Sequence, residues 1–143
     1  MLGAPTVVTN DEEARMSDQA KQVVERYLAE VLAAGGGTDP AELISSEELL
    51  QRVARFRTAF PDLEVEIGPA LAAGDLVAVH LVGRATHQGL FQGVPPTGRS
   101  WEAGCTAIYH VAGGRIADAW VNWDLLTLME QLGAIERAQT VSA

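Results

Sequence analysis

Three polar side chains in this sequence have the type and the setting to do chemistry in an apolar environment: Tyr109, His87 and Cys105. A tyrosine buried at its ring can donate a hydrogen bond from its phenol to a substrate carbonyl, or spend it within the protein. His87, at a strand end, can act as an acid or base at a rim, or bond to loop backbone. Cys105 sits in an apolar strand with no neighbouring cation to lower its pKa, and reads as a small inert core residue before it reads as a nucleophile. His80 and His110 are not spaced with His87 as metal ligands are. A single cysteine excludes an internal disulfide. Asp124, ahead of a short helical run, reads as a helix cap. Glu102 and Asp75 are further carboxylates that could enter a chamber, and nothing in the sequence requires it.

The element that must carry Tyr109 and Cys105 runs from Trp101 to Asp124. It reads as two strands joined at Gly113-Gly114. Thr106, Ile108, Tyr109, Val111, Ile116, Trp120, Val121 and Trp123 are the β-branched and aromatic types that suit a half-buried pleated surface. A three-residue turn, Gly113 to Arg115, pairs Ala112 with Ile116. Counting back sets Tyr109 opposite Ala119, Ala107 opposite Val121 and Cys105 opposite Trp123; a two-residue turn shifts the pairing. One face then holds Cys105, Ala107, Tyr109, Ala119, Val121 and Trp123, with Trp101 nearer the rim. That face is the expected substrate-binding floor. Ile108, His110, Trp120 and Asn122 point the other way, and an exposed Trp120 and Ile108 suggest an interface with a second copy.

The rest of the chain reads as helices followed by strands. Residues 1–16 look like an extension without periodicity, residues 17–133 like one domain, and residues 134–143 like a tail. From Ser17, Ala20, Val23, Val24, Tyr27, Leu28, Val31 and Leu32 form a helical stripe that ends at Gly35-Gly36-Gly37. Asp39-Pro40 with Glu42 opens a short second helix. Ser45 with Glu48 opens a third, with Leu49, Leu50, Val53, Phe56 and Phe60 as its stripe and Pro61 as its stop. Leu63, Val65 and Ile67 alternate with Glu64 and Glu66 as a strand with one wet face. Leu76 to Thr86 is apolar at nearly every position and reads as a strand covered on both faces. A Gly/Pro-rich loop from Gln88 to Arg99 leads into the hairpin, and Leu125 to Leu132 is a terminal helix stopped by Gly133. This order predicts an α+β fold: a strongly curved antiparallel sheet, helices on its concave side, and a cone-shaped cavity between them.

Composition narrows the partners. The 143 residues carry 10 basic and 19 acidic side chains, a formal charge of −9. So acidic a chain is a poor ligand for nucleic acid or for an anionic membrane surface. No apolar run is long enough to span a bilayer and no leader pattern is visible, so a cytoplasmic location is expected.

From Phe60 to Gly133 the sequence resembles the SnoaL-like polyketide cyclases of the nuclear transport factor 2-like superfamily. The resemblance rests on Phe60-Pro61-Asp62-Leu63, Gly74-Asp75, His87-x-Gly89, Gly93-Val94-Pro95-Pro96-Thr97-Gly98, Gly114-Arg115-Ile116, Trp120-x-x-Trp123-Asp124 and Gln131-Leu132-Gly133. It implies an α+β cone, a homodimer or higher oligomer packed through the outer sheet face, and no metal or organic cofactor. It also implies intramolecular aldol ring closure, with an Asp as acid/base assisted by His, Gln and Asn. Aligned on Pro95-Pro96-Thr97 and Gly114-x-Ile116, the Asp falls at Val121, the His at Ala107 and the Gln at Cys105. The segment that carries the Asn is missing.

Together these readings predict a ring-closing enzyme of natural-product biosynthesis, acting on a hydrophobic polyketide-like substrate mainly by conformational pre-organisation. Tyr109 and His87 are its candidate catalytic groups. Trp101, Cys105, Ala107, Tyr109, Val121 and Trp123 are its candidate substrate contacts. Two alternatives stand beside it: acid/base ring closure or epoxide opening, which needs two or three buried carboxylates or amides in one cavity, and a non-catalytic binder of a hydrophobic small molecule.

Overall fold

The structure, a computed structural model, describes residues 10–136 and 138. Most of the expected extension and tail lies outside the described residues. Helix α1 spans Asn10–Tyr27, so it begins seven residues ahead of Ser17. The added turns are exposed, which is why they carry no apolar stripe to read. Asp11, Glu12 and Glu13 complement the positive end of the helix dipole instead.

The chain continues from α1 into a π-helical turn, Leu28–Leu32, whose Leu28, Val31 and Leu32 are buried. The glycine run then folds back over that turn. A Cβ on Gly36 would collide with the carbonyl of Glu30, and the Glu30 carboxylate accepts from Thr38 Oγ1 at 2.8 Å. Helix α2 (Pro40–Leu43) is capped by Asp39, whose Oδ1 accepts from the amide of Ala41 at 3.0 Å. Helix α3 (Glu47–Ala59) is capped by Ser46 rather than by Ser45: Ser46 Oγ accepts from Leu49 N at 3.2 Å. Ser45 is taken elsewhere, because its amide donates to Ile116 O at 3.0 Å and extends the bridge between Ile44 and Ile116.

Four antiparallel strands follow in the order β1-β2-β3-β4: Glu64–Ala73, Leu76–Thr86, Ser100–Ala112 and Arg115–Trp123. They form a curved, unclosed sheet with the helices against its concave face. Period-two alternation sends Val77, Val79, Leu81 and Ala85 of β2, and Trp101, Ala103, Cys105, Ala107, Tyr109 and Val111 of β3, into the core. The opposite face of β2 is not covered within one chain: Leu76 and His80 are exposed, and Ala78, Val82 and Arg84 are half-buried.

The hairpin turn has two residues, with Gly113 (φ 60°) and Gly114 (φ 76°) both left-handed and Ala112 paired with Arg115. Val111 pairs with Ile116 and His110 with Asp118, so Ala117 is an extra residue in a bulge. The bulge cancels the shift that a two-residue turn imposes. The pairs Tyr109–Ala119, Ala107–Val121 and Cys105–Trp123 therefore stand as expected, although the turn is one residue shorter.

Helix α4 (Leu125–Gln131) is capped by Asp124, which accepts from Thr127 N at 3.1 Å and Thr127 Oγ1 at 2.7 Å. Gln131 closes its far end. Its Oε1 accepts from Glu102 N at 2.7 Å and its Nε2 donates to Glu102 O at 2.9 Å, replacing the ladder partner that β4 no longer supplies. No helix among the described residues is long and apolar enough to cross a membrane.

Candidate functional site

Between the concave sheet face and the helices lies a cavity of about 540 Å³, open on one side. Such a volume suits a ligand of drug-like size. Leu81 of β2, Cys105 and Tyr109 of β3, and Val121 and Trp123 of β4 form its floor. Tyr27 and Leu32 close one wall. Helix α3 supplies another through Leu49, Arg52, Val53, Arg55 and Phe56. The loop residues Leu90 to Gly93, with Asn122 and Leu125, complete the border.

That loop is shaped locally. Gln92 and Gly93 take positive φ (49° and 76°), and Phe91 and Val94 bridge across them. The turn drives Phe91 inward against Phe60, with ring centroids 4.8 Å apart. Gly89 is required where the loop crosses the end of α3: the amides of Gln88 and Gly89 both donate to Ala59 O, and a Cβ on Gly89 would strike the Thr58 carbonyl.

The expected floor is assembled in part. Cys105, Tyr109, Val121 and Trp123 line the cavity together. Ala107 does not: it is buried, and its methyl is flanked on the same strand face by the larger Cys105 and Tyr109. Trp101 is not at a rim either. It is 3% exposed and packs against Phe60 (4.9 Å) and Trp123 (5.6 Å), part of an aromatic cluster that fills one end of the cone. Asn122, assigned to the outer face, borders the cavity as well.

His87 does not border the cavity. It is fully buried beside Phe60, at 5.9 Å between ring centroids. Its Nδ1 accepts from Thr97 N at 3.2 Å and lies 3.0 Å from Thr97 Oγ1, which itself accepts from Arg99 N. This network assigns the proton of the neutral ring to Nε2. His87 Nε2 and Trp101 Nε1 have no hydrogen-bond partner among the described residues. In this arrangement His87 pins the Gln88–Arg99 loop. His110 and Asp75 pair with each other at 2.8 Å beside the hairpin turn, and His80 bonds Thr106 on the outer face at 3.2 Å. Glu102 pairs outward with Arg84 at 3.1 Å.

At the floor the rings of Tyr109 and Tyr27 lie 5.6 Å apart, and burial pushes both phenols well above the usual tyrosine range. The Arg52 guanidinium pulls both the other way, though it does not prevail. Burial also pushes the Cys105 thiol up, to about 11. Among the described residues the lining holds no Asp, Glu or His, and no group of three His, Cys, Asp or Glu side chains could hold a metal ion. The site can therefore enclose an apolar molecule and donate hydrogen bonds to it. It has no base that titrates near neutral pH.

Several lining residues were not picked out by sequence reasoning. Phe56 was read as core, and it is, but it also stacks on Trp123 at 5.2 Å and 18° to form a cavity wall. Tyr27 sat in the stripe of the first helix without being separated from it. Arg52 and Arg55 belong to the polar side of α3. Their signal was adjacency: each borders a stripe residue, Val53 or Phe56.

No curated protein matches this chain by sequence. Among solved structures, a protein from Jannaschia sp. CCS1 described as a SnoaL-like polyketide cyclase superposes with a TM-score of 0.71 at 22% identity, over 92% of this chain and 100% of that one. TsrD from Streptomyces laurentii superposes with a TM-score of 0.66 at 22% identity, covering 82% of this chain and 97% of its own. IdmH from Streptomyces antibioticus, described as a polyketide cyclase, reaches 0.59 at 26% identity, covering 80% and 99%. The first two likenesses establish the fold alone. The sequence profile of the SnoaL-like polyketide cyclases matches residues 7–132, which is most of the chain and both sides of the cavity, and the protein therefore belongs to that family.

Proposed function

We propose that the protein is a cofactor-independent cyclase that closes a ring in a polyketide-like natural-product intermediate, chiefly by holding it in a reactive conformer. The observation that carries this reading is the cavity lining, whose floor is Cys105, Tyr109, Val121 and Trp123 and which contains no carboxylate or imidazole among the described residues. At Val121, where the family resemblance expects the aldol acid/base, an apolar side chain faces the cavity. General acid/base catalysis contributes about 10² to 10⁴ in rate, and this lining supplies no group for it.

Shape can act in its place. An apolar chamber that brings two reacting carbons of one chain to near-attack distance removes much of the entropic part of the barrier. A cycloaddition fits such a site: two π systems become two σ bonds in one step and no proton moves. Tyr109, beside Tyr27 at the floor, donates to a substrate carbonyl and polarises it. His87 acts indirectly, by holding the loop that carries Phe91. Aldol chemistry in the family's manner needs a carboxylate, which this lining lacks; acid/base epoxide opening would have to rely on the amides of Gln92 and Asn122 alone. The same lining also suits a non-catalytic carrier, which turnover distinguishes from an enzyme.

We further propose a homodimer through the outer sheet face, where Trp120 (52% exposed), Ile108, Leu76 and Leu71 (75%) are uncovered. Sedimentation of the wild type and of Trp120→Glu tests it: a dimer that becomes a monomer is expected, and a monomeric wild type overturns it.

The test of function is turnover. Incubation with linear intermediates of the pathway encoded by neighbouring genes is expected to give cyclised product faster than buffer. A Cys105→Trp variant that blocks the floor is expected to abolish the gain. Binding without acceleration would leave a carrier.

A further inference from the structure

The lining of the cavity bears charge of one sign. Its formally charged side chains are Arg52 and Arg55, in a chain whose net charge is −9. The acidic excess offers many partners, and two arginines use them, Arg26 with Glu30 at 3.0 Å and Arg84 with Glu66 at 3.0 Å and Glu102 at 3.1 Å; what sets Arg52 and Arg55 apart from the other arginines unpaired among the described residues is their place on the cavity border. Among the described residues, Arg52 and Arg55 have no ion pair and no side-chain hydrogen bond. Glu48 stands four residues before Arg52, a spacing that allows a helical ion pair, and none forms.

Positions 52 and 55 are one turn apart on α3, so the two guanidinium stems rise from the same side of the helix. Like charges so placed repel unless an anion lies between them. Arg52 is also near enough to act electrostatically on Tyr27 and Tyr109 across the cavity. Beyond the arginines the walls are apolar and aromatic, with Phe56 stacked on Trp123.

We propose that the cavity takes an amphiphilic carboxylate: a conjugated apolar body lies on the Cys105–Tyr109 floor against the stacked Phe56–Trp123 pair, and its carboxylate is held by Arg52 and Arg55 at the mouth. The planar fork of a guanidinium matches a carboxylate in bidentate fashion, and two forks on one helix face fix the direction in which the ligand enters. The apolar end then goes in first and the acid stays at the opening. This assignment rests on the reading of the cavity as the substrate site and specifies the substrate class: a free acid rather than its ester or amide.

Calorimetric titration with 9-anthracenecarboxylate and with its methyl ester tests the assignment. At low salt the acid is expected to bind at least tenfold more tightly than the ester, with the gap narrowing as salt rises. The double variant Arg52→Gln/Arg55→Gln, shown by circular dichroism to be folded, is expected to bring the two ligands to parity. Arg52→Lys/Arg55→Lys retains charge without the fork and is expected to fall between. Cys105→Trp is expected to abolish binding of both. Equal binding of acid and ester by the wild type overturns the carboxylate assignment and leaves the cavity reading standing. Failure of both probes to bind overturns the cavity reading and this assignment with it. Tight acid binding by a protein that accelerates no cyclisation removes the cyclase reading alone.

Discussion

Tyr109 on β3 and Tyr27 at the end of α1 meet across the cavity floor, with ring centroids 5.6 Å apart and planes inclined by 60°. This contact ties the sheet to the first helix and sets two phenols near each other at the cavity floor. Removing one hydroxyl while keeping the ring separates the polar role from the packing role. Tyr109→Phe is expected to lower turnover by about 10²-fold with little change in KM, while stability falls by about 1 kcal/mol. Tyr109→Ala also removes the ring and is expected to lower the melting temperature sharply. Unchanged turnover in Tyr109→Phe would show that the phenol only packs.

Cys105 and the two phenols share a direction of shift, which makes stability depend on pH on the alkaline side. The thiol rises from 9.0 to about 11, and the phenols rise from 10.0. The unfolded chain therefore loses these protons first as pH rises. Their contribution is fully present below pH 9.0 and is lost as pH climbs through about 11 and beyond. Melting temperatures are expected to fall over that alkaline window, and Cys105→Ser/Tyr27→Phe is expected to flatten the fall. At pH 8 the folded protein is expected to resist thiol-alkylating reagents that label it at once in denaturant.

Gly83 on β2 makes room for an indole. A Cβ there would lie 2.7 Å from Trp123 Cη2 and 3.3 Å from Trp101 Cη2. Neither ring can swing away, since Trp123 is stacked on Phe56 and set edge-on to Trp101. Gly83→Ala is expected to cost about 1–3 kcal/mol through overpacking and to alter near-ultraviolet circular dichroism as the indoles shift. A variant as stable as wild type, with the same spectrum, would show that the sheet flexes to accept the methyl.

Val121 faces the cavity from the position where the family resemblance expects an acid/base carboxylate. Val121→Asp is expected to destabilise the protein by about 1–3 kcal/mol, more at pH 7 than at pH 4. Burial raises the folded pKa of the new group, so its penalty is felt as pH rises. Turnover is expected to fall. A gain in aldol-type ring closure would overturn the shape-based mechanism.

Much of the fold was legible because its signals are local. The stripe from Ala20 to Leu32, the Asp39-Pro40 cap, the switch to period two after Pro61 and the Asp124 cap each follow from neighbouring residues. The start of α1 was missed because its first turns are exposed and so carry no apolar periodicity. The capping serine of α3 shifted by one because a distant carbonyl, that of Ile116, claimed the Ser45 amide. The hairpin is the sharpest case. Its glycines dictated a two-residue turn, and the pairing of Cys105 and Ala107 across β4 depended on a bulge at Ala117 that no local signal announces.

The sequence by itself determined the class of fold and the apolar, carboxylate-poor character of the central hairpin, since alternation along a strand decides which side chains share a face. Tertiary structure decided which of those side chains reach open space. Ala107 is too short beside its neighbours, Trp101 is enclosed by other rings, and His87 is held by Thr97. It also decided that Arg52, Arg55 and Tyr27 join the hairpin around one cavity. These groups come from helices far away in the chain, and only the closing of helix over curved sheet places them together.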